Sequence, residues 1–392
     1  MAKEEEEHEK SSSNTTKRKR GEEEEGLIPG LPDHIAQLCL SAINPSLLYR
    51  ISHSCRRLIY SQSFPPFFSL YAILSPLQTQ TQTQTQTQTQ TQTQTQNQPN
   101  PIQFHNFDPI SSTWRTLPHP HPPLHHLLLR HPSFLSRNLS IQSISVAGNL
   151  VLLAATTHNL FPALQRPLIF NPLAQSWSFG PSLSTPRRWC ALGSSRGSLY
   201  VASGIGTQFS IDVARSLEKW DLRRGNDAVW EKKMDLKDAR FTREAIDAVG
   251  WRGKLCMVNV KGDAAKDGAV YDVNGDFWTE MPEGMLCGWR GPVAAMDEDV
   301  MYVVDEVKGV LRRYVPEQDS WEEVVESQRF KGAEKLVAER GRLCVVSASG
   351  ISVVDVVAAA PRISVVELPE GFEAVAVHVL PRMPVTDFDF SV

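Results

Sequence analysis

The chain has 392 residues, of which 41% are hydrophobic, and a formal net charge of −4. This length allows two or three domains, or one large repeat fold with an appendage. The small net charge argues against a general attraction to nucleic acid or to anionic membranes. The acidic N-terminus is unlike a secretory signal, and no apolar run is long enough to span a bilayer. We therefore expect a soluble protein of the nucleus, the cytoplasm or both.

Residues 1–26 are charged and polar, with no large apolar side chain after Met1. Such a segment cannot bury enough surface to offset its chain entropy, so a disordered tail is predicted. Within it, the basic run Lys17–Arg20 lies between the acidic blocks Glu4–Glu7 and Glu22–Glu25. This run is either a nuclear import signal or a solvated charge run.

Residues 27–67 carry two helix-start signals. Pro32 and Asp33 suit a first helical turn, and Asn44-Pro45 places a capping residue before a proline. After the second start, apolar residues recur at steps of three and four and form one stripe, which consists of Leu47, Leu48, Ile51, Cys55, Leu58 and Ile59. About 40 residues are too few to bury a stable core alone, so we expect a partner surface to complete the burial of this module.

A repeat extends over residues 68–385. Five times an aromatic strand is followed by a polar turn and then by a tryptophan, and these are Trp114, Trp177, Trp230, Trp278 and Trp321. A second mark, Gly-x-Leu before an apolar strand, begins at Gly148, Gly197, Gly253 and Gly341, with a degenerate copy at Glu298. The alternating Thr-Gln segment at 78–98 has no apolar face, and we interpret it as a disordered insertion.

Each repeat holds four antiparallel strands in roughly 40–50 residues, the pattern of a β-propeller blade. Five copies have the tryptophan and one lacks it, so six blades are predicted, with seven as the alternative. A tryptophan on each outer strand would plug the gap between neighbouring blades, which makes it a core residue and not a ligand site. The apolar segment Phe372–Leu380 would pair into the first blade and close the ring.

The two parts together resemble the plant F-box/kelch-repeat family, of the Skp-interacting-partner type. The helical part matches through Leu31-Pro32-Asp33 and through Cys55-Arg56-Arg57. Leu58 stands where the family usually has Trp, and the Gly-Gly doublet of the kelch pattern is absent from the sequence. The resemblance implies a mainly β fold, with a kelch-type β-propeller at 68–385 behind an α-helical F-box at 27–67.

The same resemblance implies a non-catalytic substrate-recognition subunit of an SCF-type ubiquitin ligase. The F-box would bind the Skp adaptor, which tethers to a cullin, and the propeller would hold a target protein near the charged E2. No cofactor is implied. The residues expected to bind the Skp adaptor are Leu31, Pro32, Ile35, Leu38, Leu47, Leu48, Ile51 and Cys55.

A basic residue tends to precede each Gly-x-Leu mark, where the chain would enter the inner strand of a blade. We predict that these residues form a basic, partly aromatic rim that recognises an acidic or phosphorylated protein segment. The rim would consist of Arg137, Arg188, Trp189, Arg243, Trp289, Arg290 and Lys331. The alternative interpretation is that these cations pair with carboxylates across blades.

Two other functions remain open at this point. One is a propeller scaffold whose helices bind something other than the Skp adaptor. The other is a kelch-type oxidase, but His119, His121, His125, His126 and His131 lie in a proline-rich stretch without metal-ligand spacing, so no metal site is predicted. The motifs of serine hydrolases, phosphate loops and zinc proteases are absent from the sequence.

Overall fold

A computed structural model describes residues 27–43, 45–61, 64, 67–77, 101–121, 123–124, 141–157, 161–227, 229–242, 245–261 and 264–384. The chain divides at Pro65 and Pro66 into two compact units, a helical one and a β-propeller. The predicted charged tail and Thr-Gln insertion lie outside the described residues. None of the described helices is long and apolar enough to cross a membrane.

The helical unit contains α1 (Asp33–Ser41), α2 (Pro45–Ile51) and α3 (His53–Tyr60). Pro32 caps α1 and Asp33 lies in its first turn, where a carboxylate favours the helix dipole. The apolar stripe predicted over 47–59 is divided between two helices, because Ser52 interrupts it. The Ser52 hydroxyl accepts a hydrogen bond of 3.1 Å from the Cys55 amide and so caps α3.

The propeller has six four-stranded antiparallel blades, as predicted. Blade 1 consists of β24 (Phe372–Pro381), β1 (Phe68–Pro76), β2 (Gln103–Asp108) and β3 (Thr113–Thr116), from the innermost strand outward. Blade 2 consists of β4 (Ile141–Val146), β5 (Asn149–Ala155), β6 (Leu168–Asn171) and β7 (Ser176–Phe179), and blade 3 of β8 (Ala191–Ser195), β9 (Ser198–Ala202), β10 (Leu217–Asp221) and β11 (Glu231–Lys232).

The other three blades follow the chain in the same order. Blade 4 consists of β12 (Ala245–Trp251), β13 (Lys254–Lys261), β14 (Ala264–Asp272) and β15 (Phe277–Glu280). Blade 5 consists of β16 (Val293–Met296), β17 (Val300–Asp305), β18 (Val310–Val315) and β19 (Ser320–Glu326), and blade 6 of β20 (Lys335–Glu339), β21 (Arg342–Ser347), β22 (Gly350–Asp355) and β23 (Arg362–Val366). Short helices α4 (Ile211–Arg215), α5 (Glu283–Gly288), η1 (Leu222–Asp227), η2 (Pro316–Gln318) and η3 (Gln328–Phe330) lie in the connections.

The C-terminal strand closes the ring, as the sequence predicts. Strand β24 pairs antiparallel with β1 and forms the innermost strand of blade 1. The buried His378 of β24 also reaches the next blade, since its Nε2 and Nδ1 lie 2.9 and 3.1 Å from the hydroxyls of Ser143 and Ser145. The strand therefore contributes hydrogen bonds to its own blade and to its neighbour.

The repeated tryptophans join the blades. Each donates its indole N–H to a backbone carbonyl that follows the outer strand of the preceding blade. The acceptors are Glu367 for Trp114, Pro118 for Trp177, Pro181 for Trp230, Met234 for Trp278, and both Gly284 and Met285 for Trp321. This geometry confirms their predicted role between blades.

The antiparallel topology gives the propeller two distinct faces. The turn face carries the hairpins between the first and second strands of blades 2 to 6. The loop face carries the connections between second and third strands and those between blades. At four hairpins the Gly-x-Leu glycine and its predecessor both have positive φ, as in Ala147 (49°) and Gly148 (75°), which is the geometry of a type I′ turn.

Blade 5 forms its hairpin without glycine. Asp297 and Glu298 adopt φ of 51° and 58°, which costs free energy for residues with a Cβ. The Glu298 carboxylate accepts the Arg196 amide at 2.8 and 3.0 Å and the Ser195 hydroxyl at 3.2 Å. Its backbone carbonyl accepts the Arg252 amide at 2.7 Å. Glu298 therefore ties the turns of blades 3, 4 and 5 together, which offsets the strained backbone.

Candidate functional site

The helical unit presents apolar side chains to solvent on two helices. Along α1 and the turn before it, Leu31, Ile35 and Leu38 recur at helical spacing, and Leu38 is 68% exposed. On α2, Leu47 and Ile51 are one turn apart and are 58% and 66% exposed. Pro32 is exposed as well. Exposed apolar groups in such number are typical of an interaction surface.

Two of the predicted adaptor-binding residues have a different place. Leu48 is fully buried and Cys55 is buried in α3. These side chains therefore cannot form a docking surface without rearrangement, and they support the module from within. The apolar stripe predicted from the sequence contains buried residues, such as Leu48, and exposed ones, such as Leu47, because it covers a wide part of the helix circumference.

On the loop face of the propeller, Arg188 and Trp189 lead into the inner strand of blade 3. The guanidinium of Arg188 lies 4.5 Å from the centre of the Trp189 indole, a cation–π contact. Its Nη1 donates to the carbonyl of Gly206 at 3.2 Å, while its Nε is buried and has no hydrogen-bond partner within the described structure. Burial lowers the pKa of Arg188, because the charged form loses hydration.

The preceding residue, Arg187, has the opposite environment. It is 1% exposed, and its guanidinium donates to Glu218, to the Ser216 hydroxyl at 2.7 Å and to the Ser203 carbonyl at 3.2 Å. Glu218 also accepts the hydroxyl of Ser184 at 2.8 Å. Arg187 is therefore a fully paired structural cation, and no sequence pattern distinguishes it from the adjacent Arg188.

The other predicted rim residues are placed unevenly. Arg290 and Lys331 are exposed on the loop face of blades 5 and 6, and no described carboxylate forms an ion pair with them or with Arg188. Trp289 is 1% exposed, and its indole donates to Asp247 at 3.2 Å, so it belongs to the core between blades 4 and 5 and not to the rim surface. Arg137 and Arg243 lie outside the described residues.

A channel of about 450 Å³ runs along the innermost strands. Its polar lining includes Gln142, Asp247, Lys335, Glu339 and His378. Burial lowers the pKa of His378 to about 3, with a smaller effect from Lys335, so this imidazole is neutral at physiological pH. Burial, and then the neighbouring Asp297, raise the pKa of Glu339. The described residues contain no group of three or more His, Cys, Asp or Glu side chains that could hold a metal ion.

Fold and surfaces define a class of protein: a six-bladed propeller joined to a small helical module that exposes an apolar face. The chain is 50% identical over 375 residues to the F-box/kelch-repeat protein SKIP25 of Arabidopsis thaliana, a match that covers 92% of this chain and 91% of the relative. It belongs to the F-box/kelch-repeat family. No family model matches the chain. Family membership and fold support a substrate-adaptor role.

Proposed function

We propose that the protein is the substrate-recognition subunit of an SCF-type ubiquitin ligase. Its helical unit would bind the Skp adaptor, which joins a cullin, and its propeller would hold a target protein for ubiquitination. The observation that carries this proposal is the exposed apolar face of α1 and α2 in a chain of the F-box/kelch-repeat family. The ligase would act by proximity, and another subunit would perform the chemistry.

The adaptor contact can be tested on surface residues whose replacement leaves the core intact. Leu38 and Ile51 are both exposed by about two thirds of their surface. If each side chain is buried against the Skp adaptor, each contributes roughly 1.5–3 kcal/mol, so Leu38→Asp with Ile51→Asp should weaken binding by about 100-fold or more. The measurement is a titration of the full-length chain with purified Skp adaptor.

A matched control is Leu173→Asp in the propeller, because Leu173 is 61% exposed and has the same chemistry. This variant should bind the adaptor like the parent chain. If the full-length chain does not bind the adaptor, the protein is a propeller scaffold outside SCF ligases. If the double variant binds as well as the control, the exposed face of α1 and α2 is not the adaptor contact. Nuclear or cytoplasmic location stays part of the proposal, and imaging of a fluorescent fusion tests it.

A further inference from the structure

Arg188 is a partly buried cation without a counter-charge among the described residues. No described carboxylate pairs with it, and its Nε makes no hydrogen bond in the described part of the chain. Its guanidinium donates to the Gly206 carbonyl and stacks on the Trp189 indole. A cation in such a place loses hydration without receiving a charged partner in exchange. An anionic group that contacts this guanidinium would supply the missing interaction, and Arg offers planar, paired donors for carboxylate or phosphate oxygens.

The backbone around Arg188 is built to hold this side chain in place. Arg188 and Ile205 exchange two backbone hydrogen bonds of 2.9 Å, which join the two loop-face connections of blade 3. Trp189 has a φ of 55°, a strained conformation for a bulky residue. A Cβ on Gly204 would lie 2.9 Å from the Arg188 carbonyl, so this junction requires glycine. Strain of this kind clusters at functional sites, and a group held in place binds with a smaller loss of entropy.

The paired state of Arg187 shows that blade 3 can neutralise a cation where the fold needs it. Glu218, Ser216 and a carbonyl satisfy the Arg187 guanidinium in the interior. Arg188, the next residue, lies on the loop face, where no carboxylate of the described residues pairs with it. Within one connection, Arg187 therefore has a structural role and Arg188 a place on the surface.

The surroundings of Arg188 indicate what accompanies the anion. Phe209 is 50% exposed and follows Gly206, the acceptor of Arg188, by three residues of the same connection. At about 3.8 Å per residue, its Cα lies within roughly 11 Å of the Gly206 Cα. Arg290 and Lys331 occupy the equivalent inter-blade connections of blades 5 and 6 and are exposed. The loop face thus combines cations with an apolar side chain in the connection that Arg188 contacts through Gly206.

We propose that Arg188, stacked on Trp189, is the anchor for an anionic group of the protein substrate, a carboxylate or a phosphate, with an apolar substrate residue packed beside it on Phe209. This inference rests on the proposed substrate-adaptor function and names the chemistry that its propeller selects. Arg290 and Lys331 would attract the same segment over a longer distance and would depend more on ionic strength.

The test uses the full-length chain bound to the Skp adaptor and four fluorescent peptide mixtures. The mixtures are identical except for one fixed central residue, which is Glu, phosphoserine, Gln or Lys. We expect the Glu mixture, the phosphoserine mixture or both to be retained above the Gln and Lys mixtures, and the stronger of the two identifies carboxylate or phosphate as the natural group. Arg188→Gln should reduce the retained anionic fraction about tenfold, the loss expected for a charge-assisted hydrogen bond.

Arg340→Gln is the matched control, because Arg340 also stacks on an aromatic ring, Phe68, at 4.5 Å, but lies at the turn-face hairpin of blade 6. It should leave the preference unchanged. Arg188→Lys keeps the charge but not the planar donors, and should retain only part of the preference. Phe209→Ser should keep the preference for an anion and lose enrichment of apolar residues next to it.

The inference is overturned if the parent chain shows no preference for either anionic mixture, or if Arg188→Gln keeps that preference. A thermal melt and a Skp-binding titration of each variant accompany the assay. Unchanged Skp binding with no anion preference would overturn this inference alone and leave the adaptor function standing. Failure of the parent chain to bind the Skp adaptor would overturn the proposed function itself, whatever the peptides show.

Discussion

Substitution of Trp177 tests most directly how the blades are held together. Its indole N–H donates to the Pro118 carbonyl of blade 1 at 2.7 Å. Its ring lies edge-to-face against Phe104 of blade 1, with centroids 4.9 Å apart, and 5.1 Å from Phe170 of its own blade. One side chain therefore supplies a hydrogen bond and an aromatic contact across the seam.

Two substitutions separate these contributions. Trp177→Phe removes the hydrogen bond and keeps an aromatic ring, so we expect the free energy of unfolding to fall by about 1 kcal/mol. Trp177→Ala also removes two aromatic pairs, each worth about 1 kcal/mol, so the total loss should be about 3 kcal/mol. That total lies at the lower end for the truncation of a large aromatic residue, as expected because the side chain is only half-buried.

Urea unfolding followed by circular dichroism and by fluorescence measures these losses. With a slope of about 3 kcal/mol per molar urea for a domain of this size, the midpoint should fall by about 0.3 M for Trp177→Phe and about 1 M for Trp177→Ala. Ser178→Ala, an exposed position on the same strand, should leave the midpoint unchanged. If Trp177→Ala is no less stable than Trp177→Phe, the aromatic contacts do not hold the seam and the reasoning fails.

Two further stability predictions concern the ring. Glu298→Ala leaves the Arg196 amide without its acceptor, so the free energy of unfolding should fall by about 2 kcal/mol in the same urea assay. Glu298→Gln keeps an uncharged acceptor and should lower it by about 1 kcal/mol. Parent-like stability of both variants would contradict the role of Glu298 in joining the turns. The pKa of His378 in the folded chain, about 3, lies below its ordinary value of 6.5, so between these pH values the unfolded chain binds more protons than the folded one. The contribution of His378 to stability is therefore fully present above about pH 6.5 and is lost as the pH drops toward 3. His378→Gln should flatten this part of the stability–pH profile, and an unchanged slope would show that other groups cause it.

The repeating features of the propeller could be predicted from the sequence because each one serves the same physical purpose in several blades. The Gly-x-Leu mark predicts a hairpin, since its turn needs two residues at positive φ. The repeated tryptophan predicts a contact between blades, since a large aromatic residue at the same position of each outer strand can fill the gap to the neighbouring blade. The strand Phe372–Leu380 predicts closure, because a propeller with an open edge would expose unpaired backbone groups.

Side-chain exposure within the helical unit could not be predicted in the same way. Periodicity places Leu47, Leu48, Ile51 and Cys55 on one broad stripe, but it does not say which edge of the stripe faces the interior. Ser52 also breaks the stripe, and its capping role depends on local backbone geometry that apolar spacing does not report. Consequently the sequence identified the right module and included two buried residues among its surface candidates.

The same limit applies to the rim, where spacing identified the position of Arg188 but treated Trp289 as a surface aromatic. A pattern assigns the same role to equivalent positions, whereas burial depends on what the neighbouring blade presents there, such as Asp247 opposite Trp289. What distinguishes blade 3 is a departure from the repeat: a strained Trp189, a glycine that the junction requires, and a cation that no described carboxylate pairs with. The residues that hold a propeller together recur from blade to blade. A recognition site is therefore best sought where one blade has backbone strain or an unpaired charge that the equivalent positions of the other blades lack. Arg188 and Trp189 are such a place on the loop face. At Glu298, by contrast, hydrogen bonds to the neighbouring turns offset the strained backbone within the fold.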